Sequence, residues 1–355
     1  MSSRRKYANV MQGAASEVQP ALAEWLWQGR IPRSAITLVV GDAGAGKSTL
    51  AVELAARLTR GELTGEPERA LLALQEDDGP SVTVPRLMAA CADLTMIGLD
   101  GSPGSGWRFP RDLERLDARL TETGASLFVL DPLDASVPAL ASQSARSIMD
   151  DLAAIAHRHG TALVALHHLT KGGKTIAQRI GGGRAISAVA RSILVLSKLD
   201  EIARVVLDQD EGLPRLALSH HKSSYGAEAP PLLWERLSLP HPVPGGDTVP
   251  RLVEIAELRE ADAEIVSGQR PQGWRRKVAR ALIERLLLGG PSTAEDLASD
   301  VLIVPEISRQ TFERARGDLA SEGVIEAYQE AGRWWWKLTF VVPDDLSVTP
   351  SNSTK

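Results

Sequence analysis

The sequence has few of the features that mark disulfide-rich, membrane or secreted proteins. It contains one cysteine, Cys91, which excludes an internal disulfide and a zinc site made of cysteines. No apolar run approaches the roughly 20 residues that a membrane-spanning helix needs. Residues 1–20 include basic side chains without an apolar core behind them, so we expect no secretory signal. These absences predict a cytoplasmic protein that does not enter a membrane.

Positive charge is not in excess either, because 45 acidic residues outnumber 40 lysines and arginines and leave a net charge of −5. Any contact with a nucleic acid must therefore come from local basic patches. The hydrophobic share of 43% is ordinary for a globular protein. At roughly 100–200 residues per domain, the length of 355 residues allows two or three domains.

Residues 21–237 alternate short apolar runs with amphipathic stretches. The runs at 35–40 and 126–130 are nearly all apolar, which is typical of strands buried on both faces. Residues 47–59 and 144–159 instead have apolar positions at helical spacing. This alternation predicts an α/β domain with a mostly parallel sheet that is covered by helices on both faces.

Proline and glycine concentrate beyond this domain. Residues 239–250 contain four prolines and two glycines, a density that predicts an irregular linker. The charged residues at 251–266 then predict a connecting helix, so the linker region spans 238–272. We expect the two ends of the chain, residues 1–20 and 343–355, to be flexible and disordered, respectively.

Residues 273–342 have the pattern of a second, small domain. A first helix is spaced by its apolar residues, a capping box of Ser292 and Glu295 opens a second, and Ser308 caps a third. Two short strands flank a turn at Ala331 and Gly332, which predicts a hairpin. Three helices followed by a hairpin is the order of a winged helix. The residues expected in its helical core are Val278, Leu282, Leu286, Phe312, Ala315 and Leu319.

The segment GDAGAGKS at 41–48 matches the phosphate-loop pattern G-x-x-x-x-G-K-[ST] in full, between an apolar strand and a helix. Its glycines let successive backbone N–H groups point at phosphate oxygens, and the helix N-terminus adds its positive dipole end. We expect Lys47 to reach the β- and γ-phosphates of ATP and Ser48 to hold Mg²⁺. A glycine-rich turn without a ligand is the alternative. The predicted nucleotide-binding residues are Gly41, Asp42, Ala43, Gly44, Ala45, Gly46, Lys47, Ser48 and Thr49.

Asp131 ends the apolar run SLFVLD, and the carboxyl ends of strands face the ligand crevice in open α/β sheets. We expect its carboxylate to hold the metal directly or through water, as a Walker B residue. The alternative role is a helix cap, which Asp134 can fill instead. Many ATPases have a glutamate directly after this aspartate, but Pro132 occupies that position, so the catalytic base must come from elsewhere.

Glu76 is the predicted base, because it lies just past the second apolar strand in LLALQEDD. We expect the end of that strand to lie beside the phosphate-loop strand. The alternative is a solvated acidic turn, since Asp77 and Asp78 follow.

His167 and His168 follow the apolar run TALVAL, where a histidine can sense the γ-phosphate or serve only in packing. Residues 169–191 then form a loop with several glycines and no acidic residue. A mobile basic loop beside a nucleotide sensor suits contact with a nucleic-acid backbone, and a solvated surface loop is the alternative. The basic residues of the loop are Lys171, Lys174, Arg179, Arg184 and Arg191.

These motifs resemble the RecA-like ATPases, specifically the RepA-like hexameric replicative helicase group within the AAA-type P-loop proteins. The resemblance covers residues 25–236. It implies that Glu76 is the catalytic glutamate, that Asp131 is the Walker B aspartate and that His168 stands at the sensor position. Its carriers are WLWQGRIPRSAITLVVGDAGAGKS, ALQEDD, VPRLMAACAD, LFVLDPLDA, VALHHLTKGG and LALSHHKSSYGA.

The resemblance also implies a hexameric ring with ATP at the interfaces between subunits. In such rings a basic finger from one subunit reaches the γ-phosphate that its neighbour binds. Lys222 in HHKSSYG matches the lysine of that finger, whereas Ser224 stands where an arginine is frequent. Lys222 then acts alone, or Arg215 or Arg184 substitutes for the missing arginine.

The carboxy-terminal domain resembles the helix-turn-helix domains appended to such ATPases on mobile elements. Its third helix has Arg309, Gln310, Arg314 and Arg316 away from the expected core face, which suits a recognition helix in a DNA groove. The alternative is a domain that contacts protein.

The leading hypothesis is an oligomeric ATP-hydrolysing DNA helicase or translocase that serves replication of a mobile element, with ATP and Mg²⁺ as ligands and DNA as partner. The second hypothesis is an ATP-switched DNA-binding regulator or recombination mediator that does not unwind DNA. The third is a scaffold that binds ATP in order to assemble.

Overall fold

The protein is known from a computed structural model, which describes residues 19–101, 106–138, 140, 142–170, 172, 176–180, 183–199, 203, 215–258, 273–304 and 306–339, with the backbone alone for 183–185. The chain divides into two compact units. The first contains the described residues up to Leu199 and those at 215–258, and the second contains residues 273–339. Three parts of the predictions lie outside the described residues: nearly all of the flexible ends, the loop residues Lys171 and Lys174, and the side chain of Arg184.

In the described part of the first unit, the main sheet has nine strands in the order β11-β10-β9-β8-β3-β7-β6-β4-β5. The six strands from β8 to β5 are parallel, and β9, β10 and β11 continue the sheet in antiparallel fashion. The strands are β1 (Trp25–Trp27), β2 (Ile31–Pro32), β3 (Ile36–Gly41), β4 (Ala70–Leu74), β5 (Ile97–Leu99), β6 (Leu127–Asp131), β7 (Ala162–His168), β8 (Ser192–Lys198), β9 (Arg215–Ser223), β10 (Leu232–Pro240) and β11 (Thr248–Glu257). The helices are α1 (Lys47–Thr59), α2 (Val84–Ala89), α3 (Leu113–Thr123), α4 (Leu133–Ser136), α5 (Gln143–His159), α6 (Ile176–Arg179) and α7 (Gly183–Val189).

Two apolar cores lie on the two faces of this sheet. Alternate residues of β6 enter them, with Phe128 and Leu130 on the face covered by α3 and α5, and Leu127 and Val129 on the face covered by α1. Strands buried on both faces must be apolar at every position, which is the pattern seen in the sequence. The predicted fold class is confirmed as an α/β core with a mostly parallel sheet that helices cover on both faces. The more specific prediction of a RecA-like core stays a prediction. None of the helices in the described ranges could cross a membrane.

The strand order corrects one prediction about the site. Strand β4, which precedes Glu76, does not lie beside the phosphate-loop strand β3, because β7 and β6 lie between them. The connection through α1 therefore crosses two strand positions before the chain returns to the sheet. Order along the chain does not determine order in space when helical crossovers connect parallel strands.

The predicted linker and connecting helix are wrong where the structure describes them. Strands β10 and β11 form an antiparallel hairpin that belongs to the main sheet, and 259–266 lie outside the described residues. Pro250 is tolerated because β11 is an edge strand, where a missing N–H breaks no inner ladder. Charges on β11 pair with α1: Glu254 accepts a 2.6 Å bond from Arg57, and Arg251 donates to buried Glu53 at 3.2 Å.

Between residues 273 and 339, the described part of the second unit has three helices and a three-stranded antiparallel sheet in the order predicted, apart from one extra short strand. Its elements are α8 (Trp274–Leu288), β12 (Ser292–Thr293), α9 (Ala294–Val301), α10 (Arg309–Ser321), β13 (Ile325–Glu330) and β14 (Arg333–Leu338). Phe312, Ala315 and Leu319 are buried as expected, and Ser308 caps α10.

The predicted cap of the second helix in this unit is off by one residue. Thr293, not Ser292, accepts the bond from the backbone N–H of Asp296, because Thr293 is the residue directly before the first helical residue, Ala294. The expected hairpin turn is at Ala331 and Gly332, both with positive φ.

Candidate nucleotide site

The phosphate loop connects β3 to α1 at the carboxyl edge of the sheet, and its backbone conformation depends on glycine. Gly44 and Gly46 have φ of 69° and 96°, which other residues adopt at a cost. A Cβ at Gly41 would lie 2.4 Å from the carbonyl oxygen of Leu196, so only glycine lets β3 pack against β8 there. Residues 42–44 are exposed and Ala45 is buried, so the loop turns its backbone outwards above the sheet.

Lys47 is buried under this loop. Its ammonium donates to the carbonyl oxygens of Gly41 at 3.0 Å and Asp42 at 3.1 Å, and to His168 Nδ1 at 3.1 Å. Burial lowers the pKa of Lys47, and the nearby carboxylates, Asp131 first, oppose that shift. The carbonyl contacts hold the cation at the phosphate loop, where it can exchange them for phosphate oxygens.

Ser48 and Asp131 meet although they are 83 positions apart. The hydroxyl of Ser48 donates to Asp131 Oδ2 at 2.5 Å. Burial raises the pKa of Asp131 to about 6, the carboxylates of Glu76 and Asp77 add to the shift, and the Ser48 bond opposes it. A buried carboxylate with a raised pKa is one that a nearby cation stabilises.

These oxygen donors fit Mg²⁺. The ion prefers carboxylate and hydroxyl oxygens, and usually keeps waters and substrate phosphates as its other ligands. In keeping with that, the described ranges contain no cluster of three or more His, Cys, Asp or Glu that would enclose a metal. Ser48 and Asp131 are therefore the residues that would hold Mg²⁺, whose charge would offset that of the nucleotide's phosphates.

The three acidic residues after β4 have different surroundings. Asp77 pairs with Arg86 at 2.5 Å, and Asp78 accepts from the backbone N–H of Ser81 and so begins the next helical turn. Glu76 is exposed and makes no hydrogen bond or ion pair with any residue that the structure describes. Its charge nevertheless acts on both Lys47 and Asp131, so it lies near the phosphate-loop edge. Asp77 and Asp78 therefore form the acidic turn, and Glu76, the residue before them, remains the candidate base.

His168 ends β7, the strand between β3 and β6, and its Nδ1 accepts from the Lys47 ammonium, which can only donate. His167, its neighbour, is buried. The position between the phosphate loop and Asp131 is the one expected for a residue that senses the nucleotide, and that role stays a prediction.

The basic loop after His168 returns to the phosphate loop. Leu169 pairs with Ile180, and the N–H of Thr170 donates to the carbonyl oxygen of Arg179 at 2.8 Å. The guanidinium of Arg179 donates to Asp42 Oδ1 at 2.5 Å. The structure thus places this predicted DNA contact on the phosphate loop itself.

Lys222 lies on β9 at the opposite end of the sheet from the phosphate loop. Its ammonium donates to the carbonyl oxygens of Ser187 and Ala190, both at 2.7 Å, at the end of α7 where β8 begins. Burial lowers its pKa, and the charge of Arg191 adds to that. Within its own chain Lys222 therefore caps a helix, and it can serve a nucleotide only in another subunit.

The neighbouring His220 is buried in the neutral form. Its Nδ1 accepts from the N–H of Ala229 at 2.9 Å, and its Nε2 lies 3.1 Å from Ser192 Oγ, whose proton goes to the carbonyl oxygen of Arg30. Nε2 must therefore carry the imidazole proton. Burial lowers the pKa of His220 to about 4.

This shift predicts acid sensitivity. An unfolded histidine has a pKa near 6.5, so the stabilisation is fully present above about pH 6.5 and is lost as the pH falls towards 4. Between pH 7 and pH 5 the loss should be about 2 kcal/mol of unfolding free energy. Urea unfolding of wild type and His220→Gln at both pH values measures it. The variant should show a correspondingly smaller pH effect, and an equal pH effect in both proteins would contradict the prediction.

The predicted DNA contacts of the second unit are not equivalent. Arg309, Gln310 and Arg314 are exposed on α10 and make no ion pair with the described residues. Arg316 instead pairs with Glu313 and lies over the rings of Phe312 and Trp336, at 5.5 and 4.9 Å from their centroids. The expectation that Arg316 points away from the Phe312 face is wrong. The side chain of Arg316 lies over Phe312 because the hairpin packs Trp336 against the same side of α10.

One buried polar cluster beside Asp131 was missed from the sequence. Gln75, directly before Glu76, is 8% exposed and donates to Ser136 at 2.6 Å. A glutamine next to acidic residues gives no signal of burial, because its partner is 61 positions away and enters through α4.

Comparison with known proteins finds a family match over the amino-terminal half of the chain. A family model described as AAA domain matches residues 3–174, just under half of the chain. A KaiC-like protein from the hyperthermophilic archaeon Pyrococcus horikoshii OT3 is among the similar solved structures, with 14% identity over 64% of this chain and 91% of that one, and a TM-score of 0.43. No curated protein sequence matches the chain. The family match, which is to the AAA domain, includes the phosphate loop, Glu76, Asp131 and His168.

Proposed function

We propose that the protein is an oligomeric ATP-hydrolysing DNA helicase or translocase of the RepA-like type, serving replication of a mobile element. The observation that carries the proposal is the double connection between the nucleotide site and the basic loop. His168, directly before the loop, contacts Lys47, and Arg179, near the middle of residues 169–191, pairs with Asp42. A change at the phosphates would therefore act at two points on a loop suited to nucleic acid.

In the proposed cycle, Mg·ATP binds at the phosphate loop through Lys47, with Ser48 and Asp131 at the metal. Lys47 then exchanges its carbonyl and His168 contacts for phosphate oxygens, which frees His168 to move the loop that follows. Glu76 orients or deprotonates the attacking water, because it is the carboxylate near this edge that no described residue holds. Hydrolysis reverses the exchange and releases the loop from DNA.

The site is proposed to be completed by a second subunit. Lys222 lies at the far end of its own sheet, so a ring would bring it to the nucleotide of a neighbour, with Arg215 or Arg184 as substitutes. Its two carbonyl contacts would have to be exchanged for the phosphate. A protein that stays monomeric in the presence of Mg·ATP would contradict this part of the proposal.

The second unit is proposed to be a winged helix that binds duplex DNA. Support comes from the helix and strand order and from Arg309, Gln310 and Arg314 on α10, whose exposed side chains make no ion pair with any described residue. A recognition helix presents such residues to base edges and phosphates in the major groove.

Stimulation by single-stranded DNA tests the motor. We expect ATP turnover of the full chain to rise several-fold with single-stranded oligonucleotide and to respond much less to the same sequence as duplex. The measurement is steady-state phosphate release at saturating Mg·ATP. Turnover that no DNA or RNA changes would exclude a translocase.

The basic face of α10 favours a second candidate function, an ATP-switched DNA-binding regulator or recombination mediator. Strand displacement separates the two, because a regulator binds a duplex in the presence of ATP without unwinding it. A scaffold that binds ATP only in order to assemble would retain its turnover, however small, after Glu76→Gln.

A further inference from the structure

Gln75 makes two hydrogen bonds to residues 131–136, the segment that begins with Asp131. Its backbone N–H donates to the carbonyl oxygen of Asp131 at 2.9 Å, which extends the β4–β6 pairing by one residue. Its side-chain amide donates to Ser136 Oγ at 2.6 Å, and Ser136 donates its own proton to the carbonyl oxygen of Pro132 at 3.1 Å. Because Ser136 has a single proton, it can only accept from Gln75, and this determines the orientation of the amide.

The far side of the amide is closed by Gly106. A Cβ at position 106 would lie 1.7 Å from Gln75 Oε1, so no other residue fits there while the amide bonds to Ser136. Ser136 is fully buried, and its carbonyl oxygen accepts from the N–H of Phe109 at 2.8 Å. The amide is therefore held between β4, α4 and the segment before α3 by one hydrogen bond and by the close approach of Gly106, an arrangement that we call the clamp. Its Oε1 is buried and accepts no hydrogen bond from a described residue.

Glu76 has no comparable support of its own. Its side chain is exposed and bonds to no described residue, so its position relative to Ser48 and Asp131 depends on the backbone at Gln75. A catalytic carboxylate that shifts by about 1 Å can lose on the order of 100-fold in rate, because the water must stay within hydrogen-bond reach.

We propose that Gln75 is a positioning residue for ATP hydrolysis, which holds Glu76 at its distance from the Ser48–Asp131 pair through its bonds to Asp131 and Ser136. The inference rests on the proposed role of Glu76 as the base. It assigns to Gln75 an effect on the rate of hydrolysis and none on nucleotide affinity, since Gln75 contacts neither the phosphate loop nor Lys47.

The test uses two substitutions that remove the clamp from opposite sides. Gln75→Met keeps the length of the side chain and removes the hydrogen bond, and Gly106→Ala displaces the amide without changing Gln75. Gln143→Met, at an exposed glutamine on α5, is the matched control. For each full-length variant, kcat and KM are measured for Mg·ATP hydrolysis, and Kd for a fluorescent ATP analogue. We expect about a tenfold or larger fall in kcat for the first two variants, with Kd within twofold of wild type.

A double-mutant cycle distinguishes positioning from general support of the fold. If Gln75 acts through Glu76, Gln75→Met should not lower the residual turnover of Glu76→Gln any further. Unchanged kcat in Gln75→Met, an equal loss of affinity and rate, or a further loss in the Glu76→Gln background would each overturn the inference. If Gln75→Met does not fold, Gly106→Ala decides. If the wild-type protein does not hydrolyse ATP, the proposed function is overturned as well. If Glu76→Gln lowers kcat but Gln75→Met leaves kcat unchanged, only this inference is overturned.

Discussion

Replacing Glu76 by glutamine should lower kcat for ATP hydrolysis by roughly 10²- to 10⁴-fold, the usual contribution of a positioned general base. Glutamine has nearly the same shape but cannot take a proton from water. Binding of Mg·ATP should be retained, because Lys47, Ser48 and Asp131 are unchanged. Phosphate release and the Kd of a fluorescent ATP analogue measure the two effects separately.

The control lies in the same acidic turn. Asp78→Asn should keep turnover close to wild type, because asparagine caps a helical turn about as well as aspartate does. A loss in Asp78→Asn as large as that in Glu76→Gln would show that the turn matters as a whole. Full turnover in Glu76→Gln would rule out this residue as the base and favour the scaffold hypothesis.

Substitution of Asp131 by asparagine should reduce Mg²⁺-dependent turnover by about 10²- to 10³-fold, the range for loss of one preorganised electrostatic group. The carboxylate bonds to Ser48, is buried, and has a pKa raised to about 6, all of which favour a cation beside it. The neutral amide removes that attraction and leaves the volume unchanged. The apparent affinity for Mg²⁺, measured by titrating the metal at constant ATP, should fall together with the rate.

The same change three residues away is the control. Asp134 is exposed, and Asp134→Asn should leave the Mg²⁺ titration unaltered. Equal metal dependence in wild type and Asp131→Asn would place the ion elsewhere and remove the Walker B assignment.

Local chemistry in this protein could be predicted because it depends on residues that are adjacent in the chain. The phosphate loop needs glycines, a lysine and a serine in one contiguous segment, and the helix that follows begins at Lys47, as its apolar spacing predicts. The cap of α10 at Ser308 and the turn at Ala331 and Gly332 are local for the same reason. The alternation of apolar runs and helical patterns likewise determined the fold class, since strands covered on both faces must be apolar throughout.

The tertiary structure decided everything that depends on which segments meet. Proline density suggested a linker at 238–272, but the edge position of β11 accommodates Pro250, and ion pairs with Glu53 and Arg57 dock the hairpin onto α1. Likewise, Arg316 is on a helix whose sequence suggests exposure, and only the packing of Trp336 shows otherwise.

The candidate site itself shows the same division. The sequence alone predicted the candidate residues, namely Lys47, Ser48, Glu76 and Asp131. The sheet order decided that Asp131 hydrogen-bonds to Ser48, which is 83 positions away in the chain. It also decided that Glu76 follows a strand that is not adjacent to the phosphate-loop strand, so that its link to the site is the bond from Gln75 to Asp131. The physical reason is that helical crossovers carry a parallel strand to any position in the sheet, whereas hydrogen bonds between side chains form only where strand ends meet.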